Sequence, residues 1–322
     1  MNVLVTGGLG NVGRNCLAEL CRQKHQVTSF DLSTAPNRRA AERISFGLRP
    51  VWGDIRSPED VAPAVAGQDV VVHLAFVLPP ASEDRPELAR DINVNGTTNL
   101  LQAMKVVQPP PRIIFISSFS VFGDCQLKPP PRTVADPVEP MDNYNRHKVE
   151  CEALVRQSGL EWVILRLAVV PPLTLGGFSP KMFDIPPNTR IEFVHPRDVA
   201  LAVANAVTSP EAWGKVLLIG GGSGSQLYYR DFVGRMTEAM GVGRLPDEAF
   251  ADCASAYCDW LDTAESQQLL RYQQSSFGDF VLEVARMLGF KRRLIPLMAP
   301  LIRRWMLNQS PHYRVRTRRE TT

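Results

Sequence analysis

Runs of consecutive apolar, often β-branched residues alternate with longer amphipathic stretches along the first two thirds of the chain. The apolar runs are typical of strands buried on both faces and lie at residues 2–6, 27–30, 69–75, 112–117, 161–167 and 215–219, with a further short strand ending at 51–52. Stretches with helical periodicity lie between them, at residues 11–23, 36–44, 58–65, 86–106, 142–158 and 197–208. This alternation predicts the α/β class, with a doubly wound parallel sheet covered by helices on both faces.

The strand pattern does not continue into the last third of the chain. Residues 229–290 favour helices, and the segment 171–190 is a loop rich in proline and glycine. We therefore predict two domains. Residues 1–170 plus 191–224 would form the domain that contains the sheet. Residues 171–190 plus 225–322 would form a small, mostly helical C-terminal lobe that binds the substrate.

The composition is that of an ordinary folded chain. Of its 322 residues 44% are hydrophobic and 21% charged, and the formal net charge of +3 is too small to favour nucleic acid as a partner. No apolar run approaches the roughly 18 residues that a membrane-spanning helix needs. The N-terminal stretch lacks a basic region and is interrupted by glycines, so it does not resemble a signal peptide. The six cysteines form no CxxC pair, which favours reduced thiols and a cytoplasmic location.

A glycine-rich turn, TGGLGNVG at positions 6–13, follows the first predicted strand and opens the first helix. Glycine allows a sharp turn there, a close approach of backbone N–H groups to a pyrophosphate, and tight packing of the helix on the strand. The helix N-terminus adds partial positive charge toward the phosphates. This context predicts a dinucleotide site, and the residues assigned to it are Gly7, Gly10, Asn11, Val12 and Gly13.

Asp31 ends the second predicted strand, about 20 residues beyond the turn, where a doubly wound fold places the acid that binds the adenosine ribose. A carboxylate there accepts hydrogen bonds from the ribose hydroxyls and repels the 2′-phosphate of NADP, so NAD is the expected cofactor. Arg14, Arg38 and Arg39 are close enough in sequence to leave NADP open. The alternative for Asp31 is an acid that only caps the following turn.

Several further motifs follow in a fixed order. They are Gly53-Asp54-Ile55, His73-Leu74-Ala75, residues 91–97, residues 117–123, Tyr144 with Lys148, Arg166 and residues 193–200. Together with the glycine-rich turn they resemble the extended short-chain dehydrogenase/reductase family, which has a Rossmann fold and includes NAD-dependent epimerases, dehydratases and hydroxysteroid-type dehydrogenases. The resemblance covers about residues 1–222. It implies that Asp54 and Ile55 contact the adenine. It also implies that Leu74, Ala75 and Phe76 lie along the cofactor.

Tyr144 and Lys148 are four residues apart, so on a helix their side chains face the same way. A tyrosine near its reference pKa of about 10 is a poor base at neutral pH, and a neighbouring ammonium group lowers that pKa by stabilising the phenolate. The resemblance implies that Lys148 also binds the nicotinamide ribose. It implies that Ser118, at the end of the fifth strand, hydrogen-bonds the substrate oxygen beside Tyr144. Ser118, Tyr144 and Lys148 are therefore the expected catalytic residues, and the last two also belong to the cofactor site.

Departures from the family pattern bear on the substrate. Dehydratases of the family carry an Asp-Glu pair directly after the catalytic serine or threonine, whereas this chain has Phe119 and Ser120. Nucleotide-sugar epimerases usually have an Asn where Val169 stands, and the segment between Arg166 and His195 is short. These differences favour a small or apolar substrate, as in the hydroxysteroid dehydrogenase and dihydroflavonol reductase-like branch. A large polar cleft that reaches Arg166 would instead favour a nucleotide sugar.

The leading hypothesis is an NAD(P)-dependent oxidoreductase that transfers a hydride between nicotinamide and a secondary alcohol or carbonyl group, with Tyr144 as the acid/base. One alternative is a nucleotide-sugar epimerase that recycles tightly bound NAD, and another is a non-catalytic binder that senses the cofactor. The histidines are scattered and Cys253 and Cys258 lack metal-ligand spacing, so no metal is expected. The resemblance implies a homodimer through the helices at 86–106 and 142–158.

The charge is unevenly distributed along the chain. Residues 291–322 contain nine Lys or Arg and one Glu, a net charge of +8, whereas residues 1–290 carry −5. Basic clusters around a short apolar stretch and Trp305 suit a weak contact with an anionic membrane surface. We favour the alternative of a helix that packs on the body of the protein and is followed by a solvated basic tail.

Overall fold

The computed structural model describes residues 1–44, 47–173, 178–252 and 259–313. Within these ranges the strands are β1 (Asn2–Thr6), β2 (Gln26–Asp31), β3 (Arg49–Trp52), β4 (Val70–His73), β5 (Arg112–Ser118), β6 (Trp162–Leu167), β7 (Arg190–Glu192), β8 (Val216–Ile219) and β9 (Gln226–Tyr228). Seven of these described strands form one sheet in the order β3-β2-β1-β4-β5-β6-β8, and every pairing is parallel. The predicted doubly wound parallel sheet is confirmed.

Helices connect successive strands and cover both faces of the sheet. They are α1 (Asn11–Arg22), α2 (Ala35–Glu42), α3 (Pro58–Val65), α4 (Ala81–Asp84), α5 (Pro86–Arg90), α6 (Gly96–Val106), α7 (Asn143–Arg156), α8 (Pro196–Thr208), α9 (Tyr229–Ala239), α10 (Ala264–Leu270), α11 (Phe277–Met287) and α12 (Lys291–Gln309). The helix predicted at 86–106 is continuous, but a π-helical turn at Asp91–Asn95 joins α5 to α6. None of the helices in the described part of the chain is both long and apolar enough to cross a bilayer.

Alternate residues of the central strands pack on opposite faces of the sheet. Val3 and Val5 of β1 lie in an apolar layer with residues of α1 and α8, whereas Leu4 lies in the opposite layer with residues of α3, α6 and α7. All three side chains are fully buried. Burial on both faces explains the continuous apolar runs in the sequence. Because the strands are parallel, their carboxyl ends meet at one edge of the sheet, where ligands bind in doubly wound folds.

One prediction about the last third of the chain is wrong. No strand was expected there, but β9 pairs with β7 in a separate antiparallel ribbon, with Ile191 opposite Leu227. Each strand of the ribbon has only three residues, which is too short to give a recognisable alternation in the sequence.

The C-terminal part encloses apolar clusters of its own, one containing Phe183 and Phe250 and another containing Phe277 and Phe280. α10 differs, because it packs on the sheet: Ser266 Oγ donates a hydrogen bond to the β8 carbonyl oxygen of Leu218 at 2.6 Å. The division into a sheet domain and a substrate-binding lobe remains a prediction.

Candidate active site

Two adjoining clefts open where the central strands end. The larger, called here the main cleft, has a volume of about 450 Å³ and lies between the glycine-rich turn, the loop after β4, the end of β5 and the start of α7. The smaller, the side cleft, has a volume of about 220 Å³ and lies beside the ends of β2 and β3. Residues that line both clefts are Gly7, Asp31, Asn37, Ala75 and Phe76.

Every residue expected in the site lines one of these clefts. Those in the main cleft are Gly7, Gly10, Asn11, Val12, Gly13, Asp31, Leu74, Ala75, Phe76, Ser118, Tyr144 and Lys148. Asp54 and Ile55 line the side cleft, where Arg56 donates a hydrogen bond to the Asp54 carboxylate and lowers its pKa. The fold thus brings together residues from distant parts of the sequence, and the role of each remains a proposal.

The glycine-rich turn leaves a space that side chains would fill. Gly7 has a positive φ of 69°, and a Cβ there would lie 2.9 Å from the backbone of Ala75. A Cβ at Gly13 would lie 2.4 Å from the carbonyl oxygen of Gly7. α1 begins at Asn11, so the first backbone N–H groups of the helix lie at the main cleft. This geometry fits a pyrophosphate, which backbone N–H groups bind at the positive end of a helix.

Asp31 provides an independent test of whether NAD fits. Its Oδ1 accepts a hydrogen bond from the backbone N–H of Leu9 at 3.1 Å. Its Oδ2 is buried and has no hydrogen-bond partner among the residues described. Burial raises the pKa of Asp31 to about 6, an effect that the Leu9 hydrogen bond opposes. A buried acceptor without a donor, placed where both clefts meet, fits the ribose hydroxyls of NAD.

We expect NAD affinity to fall about tenfold between about pH 8 and about pH 5. The carboxylate form of Asp31 would accept hydrogen bonds from the ribose hydroxyls, and its raised pKa means that this form is lost as the pH falls through about 6. Calorimetric titration with NAD at both pH values measures the change. Asp31→Asn should bind NAD weakly at both pH values and lose the pH dependence. An unchanged pH dependence in that variant would contradict a role for Asp31 in NAD binding.

The three expected catalytic residues lie together at one wall of the main cleft. Tyr144 and Lys148 lie one turn apart on α7, and Ser118 at the end of β5 lines the same cleft. Lys148 is almost completely buried, and its Nζ donates a hydrogen bond to the carbonyl oxygen of Ile116 at 2.6 Å. The distance from Lys148 Nζ to the centre of the Tyr144 ring is 5.8 Å.

Phe76 contacts both Lys148 and Tyr144. The centre of its ring lies 3.5 Å from Lys148 Nζ, which is a cation–π contact, and 5.8 Å from the centre of the Tyr144 ring, with the two rings nearly perpendicular at 86°. The sequence analysis assigned Phe76 to the cofactor site. The structure adds contacts that were not predicted, because the Phe76 ring packs against both side chains on α7.

Burial shifts the pKa values of Tyr144 and Lys148 in opposite directions. It raises the pKa of Tyr144 to about 12, although the Ser118 hydrogen bond opposes this, and it lowers the pKa of Lys148 to about 7. The expectation that Lys148 lowers the pKa of Tyr144 is not met here, because desolvation of the phenol dominates and the ammonium group is itself desolvated. The protonated phenol is suited to donate a proton to a carbonyl oxygen.

Lys148→Met should increase the free energy of unfolding by about 2–5 kcal/mol near neutral pH. Between about pH 7 and about pH 10 the unfolded chain holds a proton on Lys148 that the folded chain releases, so this residue makes wild-type stability rise with pH. The advantage of the variant should therefore shrink as the pH rises. Urea unfolding at about pH 7 and about pH 9.5 tests this, with Lys105→Met at an exposed position as the control. If the free energy of unfolding changed with pH by the same amount in wild type and Lys148→Met, the lowered pKa of Lys148 would be contradicted.

Sequence reasoning missed a hydrogen-bonded chain behind Ser118. The Oγ atoms of Ser118 and Ser120 are 2.7 Å apart, and Ser120 Oγ donates a hydrogen bond to Asn145 Oδ1. Asn145 directly follows Tyr144, so this chain connects the end of β5 to the first turn of α7. The one sequence feature that could have indicated this chain is the second serine, Ser120, two positions after Ser118. Further lining residues that the sequence did not assign are Asn37, Ile116, Leu167 and Ala168.

His195 lies outside both clefts and has a structural role. It is buried and caps α8, where its Nδ1 accepts a hydrogen bond from the backbone N–H of Arg197 at 3.1 Å. Asp198 accepts hydrogen bonds from the backbone N–H groups of Gln274 and Ser275, at 3.0 and 2.8 Å. The two residues thus fix the start of α8 and the segment that leads into α11.

The cysteines contribute no reactive group to the clefts in the described ranges. Burial raises the pKa of the Cys16 thiol to about 12 and that of Cys151 to about 11, so both are protonated at neutral pH. Cys253 and Cys258 lie outside the described residues. Among the residues placed by the structure, no group of three or more His, Cys, Asp or Glu side chains could hold a metal ion.

Comparisons with known proteins point to one family. The model of the NAD dependent epimerase/dehydratase family matches residues 3–171, more than half of the chain. The 3-beta-hydroxysteroid dehydrogenase of Mycolicibacterium neoaurum is 31% identical over 186 residues, which is 56% of this chain and 50% of that protein. The dTDP-glucose 4,6-dehydratase of Mycobacterium tuberculosis is 34% identical over 161 residues, 48% of each chain. The chain thus spans about half the length of the curated relatives it matches.

Solved structures extend the likeness of the fold to nearly the whole chain. The UDP-glucose-4-epimerase of Stenotrophomonas maltophila, with bound NAD and formylated UDP-arabinopyranose, has a TM-score of 0.76 at 21% identity and covers 92% of this chain and 98% of that one. The predicted Rossmann fold is confirmed. The family match also confirms NAD as the cofactor and the resemblance to extended short-chain dehydrogenases/reductases. The chain belongs to the NAD-dependent epimerase/dehydratase family.

Proposed function

We propose that the protein is an NAD-dependent oxidoreductase that transfers a hydride between nicotinamide and a secondary alcohol or carbonyl group of a small or apolar substrate, with Tyr144 as the acid/base. The observation that carries this proposal is the composition of the main cleft. Tyr144 and Ser118 share it with Leu78, Leu167 and Val170. Apolar walls around a few convergent polar groups are typical of sites for small, largely apolar molecules.

Bound NAD supplies the hydride acceptor at nicotinamide C4. The glycine-rich turn would hold its pyrophosphate, Asp31 its adenosine ribose and Lys148 its nicotinamide ribose. Ser118 would hold the substrate oxygen by a hydrogen bond. Alcohol oxidation requires the Tyr144 phenolate, which the raised pKa of about 12 makes scarce at neutral pH, so this direction should be favoured at alkaline pH. In it the phenolate takes the hydroxyl proton, the C–O bond becomes C=O, and the hydride leaves the same carbon with its electron pair. In the reverse direction the Tyr144 phenol donates its proton to the carbonyl oxygen.

The charges in the main cleft argue against a nucleotide-sugar substrate. Within the described lining, the charged side chains are Asp31 and Lys148, and both are assigned to the cofactor. Arg166 does not line the cleft: it is buried and forms an ion pair with Glu152 at 2.8 Å. A second diphosphate would therefore find no free cation on these walls, although arginine is over-represented where phosphates are recognised.

A substrate panel distinguishes this proposal from its two alternatives. Hydroxysteroids and small secondary alcohols are offered with NAD, and the near-ultraviolet absorbance of NADH is followed. UDP-glucose and dTDP-glucose are offered in parallel, with products separated by chromatography. Net NADH formation with an alcohol is the expected result. Conversion of a nucleotide sugar without net NADH would establish an epimerase instead. NAD binding without turnover of any compound would favour the non-catalytic binder.

The homodimer and the cytoplasmic location remain predictions, as does the weak contact with a membrane surface.

A further inference from the structure

The C-terminal helix α12 carries apolar side chains on two faces. One face packs on the protein: Ile295, Ile302 and Met306 join the apolar cluster that contains Phe183. The other face is open to solvent. Its members are each more than half exposed, and they form a surface that we call the apolar stripe: Phe290, Leu294, Leu297, Met298, Leu301 and Trp305.

The stripe follows the period of the helix. Its members after Phe290 stand four, seven, eight, eleven and fifteen positions further on, which places all of them on one side of the helix. Helices at a protein surface usually present polar residues to water at these positions. Single exposed apolar side chains are ordinary, but a continuous row of six marks a surface that contacts something else.

The charge around the stripe indicates what that partner is. Arg304 is exposed beside the stripe, one position before Trp305, and it forms no ion pair within the part of the chain that the structure describes. The segment 291–322 carries a net charge of +8, whereas residues 1–290 carry −5. A second copy of the chain seated on the stripe would bring two such basic segments together, and their repulsion opposes that contact. The basic segment would instead attract an anionic surface.

We propose that α12 lies on the surface of an anionic lipid bilayer, with the apolar stripe inserted among the acyl chains and Arg304 at the phosphate level. The helix is not apolar enough to span the bilayer, so it lies in the plane of the interface. Trp305 is suited to this position, because its indole is apolar with one polar N–H and tryptophan is enriched at membrane interfaces. The proposal is independent of the substrate proposed above.

Vesicle co-sedimentation of the full chain tests the proposal. Vesicles of phosphatidylcholine mixed with phosphatidylglycerol are compared with vesicles of phosphatidylcholine alone, at low and high sodium chloride. The test variant is Leu297→Gln with Leu301→Gln, at positions 79% and 64% exposed, so its folding should be unaffected. The matched control is Leu127→Gln with Val134→Gln, at exposed apolar positions outside the stripe. Circular dichroism and thermal unfolding verify that all proteins are folded.

We expect wild type and the control to bind the anionic vesicles, with binding at least about tenfold weaker in the stripe variant and reduced by salt. The proposal would be overturned if wild type did not bind the anionic vesicles or if the stripe variant bound them as strongly as wild type. It would also be overturned if wild type bound neutral vesicles as strongly as anionic ones. Sedimentation velocity without vesicles adds a second readout. A wild-type dimer that becomes monomeric in the stripe variant would overturn it in favour of a second copy. The same oligomeric state in both supports it.

Discussion

Replacement of Tyr144 by phenylalanine is expected to lower kcat by about 10²- to 10⁴-fold, the range typical of a lost acid–base group. Phenylalanine keeps the ring that packs edge-on against Phe76 and loses only the hydroxyl that interacts with Ser118. NAD affinity should therefore stay within about twofold of wild type, because the lost group acts on the substrate oxygen. Steady-state kinetics on the best substrate of the panel and calorimetric titration with NAD measure the two effects.

Tyr228→Phe is the matched control for this prediction. Tyr228 lies on β9, is 43% exposed and lines neither the main cleft nor the side cleft, so its hydroxyl should be dispensable. Wild-type kcat in Tyr144→Phe would contradict the assignment of the acid/base. A weakening of NAD binding as large as the loss in kcat would show that Tyr144 positions the cofactor and does not transfer the proton.

Gly13→Ala should reduce NAD affinity by at least about tenfold and lower the free energy of unfolding by about 1–3 kcal/mol. The new Cβ would lie 2.4 Å from the carbonyl oxygen of Gly7 and 2.5 Å from that of Gly8, and both are backbone atoms that cannot rotate away. Either the turn opens or α1 moves off β1, and each change displaces the N–H groups at the start of the helix. NAD titration and urea unfolding measure the two effects.

Gly224→Ala is the control for this clash. A Cβ at Gly224 would meet no atom within 4 Å, so stability should change by no more than about 0.5 kcal/mol and NAD affinity should not change. If Gly13→Ala bound NAD as tightly as wild type, the glycine-rich turn would not be the pyrophosphate site.

Much of the fold could be predicted because parallel strands covered on both faces are continuously apolar in sequence. Local signals also placed some boundaries well. The helix predicted at 58–65 is α3 to the residue, since Ser57 accepts the capping hydrogen bond from the Asp60 N–H and Pro58 occupies the first helical position. The ribbon of β7 and β9 could not be predicted, because its stability comes from pairing between distant three-residue segments.

The C-terminal helix shows a second limit of prediction from the sequence. Pro296 and Pro300 lie inside α12, and proline normally interrupts a helix because it lacks an N–H and clashes with the preceding turn. Packing of Ile302 and Met306 against the body of the protein overrides that local preference. The sequence also could not show that the apolar stripe of this helix stays exposed, because exposure depends on which segments fold against it.

The members of the candidate site could be predicted, but their electrostatics could not. Spacing placed Tyr144 and Lys148 on one face of a helix, and the family resemblance added Ser118. The direction of the pKa shifts depends on how deeply the fold buries each group, and a sequence does not contain that quantity. The contact of Phe76 with Lys148 likewise joins the loop after β4 to α7, which only the folded chain brings together.

The central claim is that this site moves a hydride from a substrate carbon to NAD and releases the reduced cofactor. Isotope transfer tests it most directly: the best alcohol of the panel is deuterated at its carbinol carbon, and the cofactor and product are examined by mass spectrometry. We predict one deuterium in the NADH formed and none in the ketone at that carbon. Deuterium retained in a converted product, with no labelled NADH released, would contradict the claim and establish a recycling epimerase.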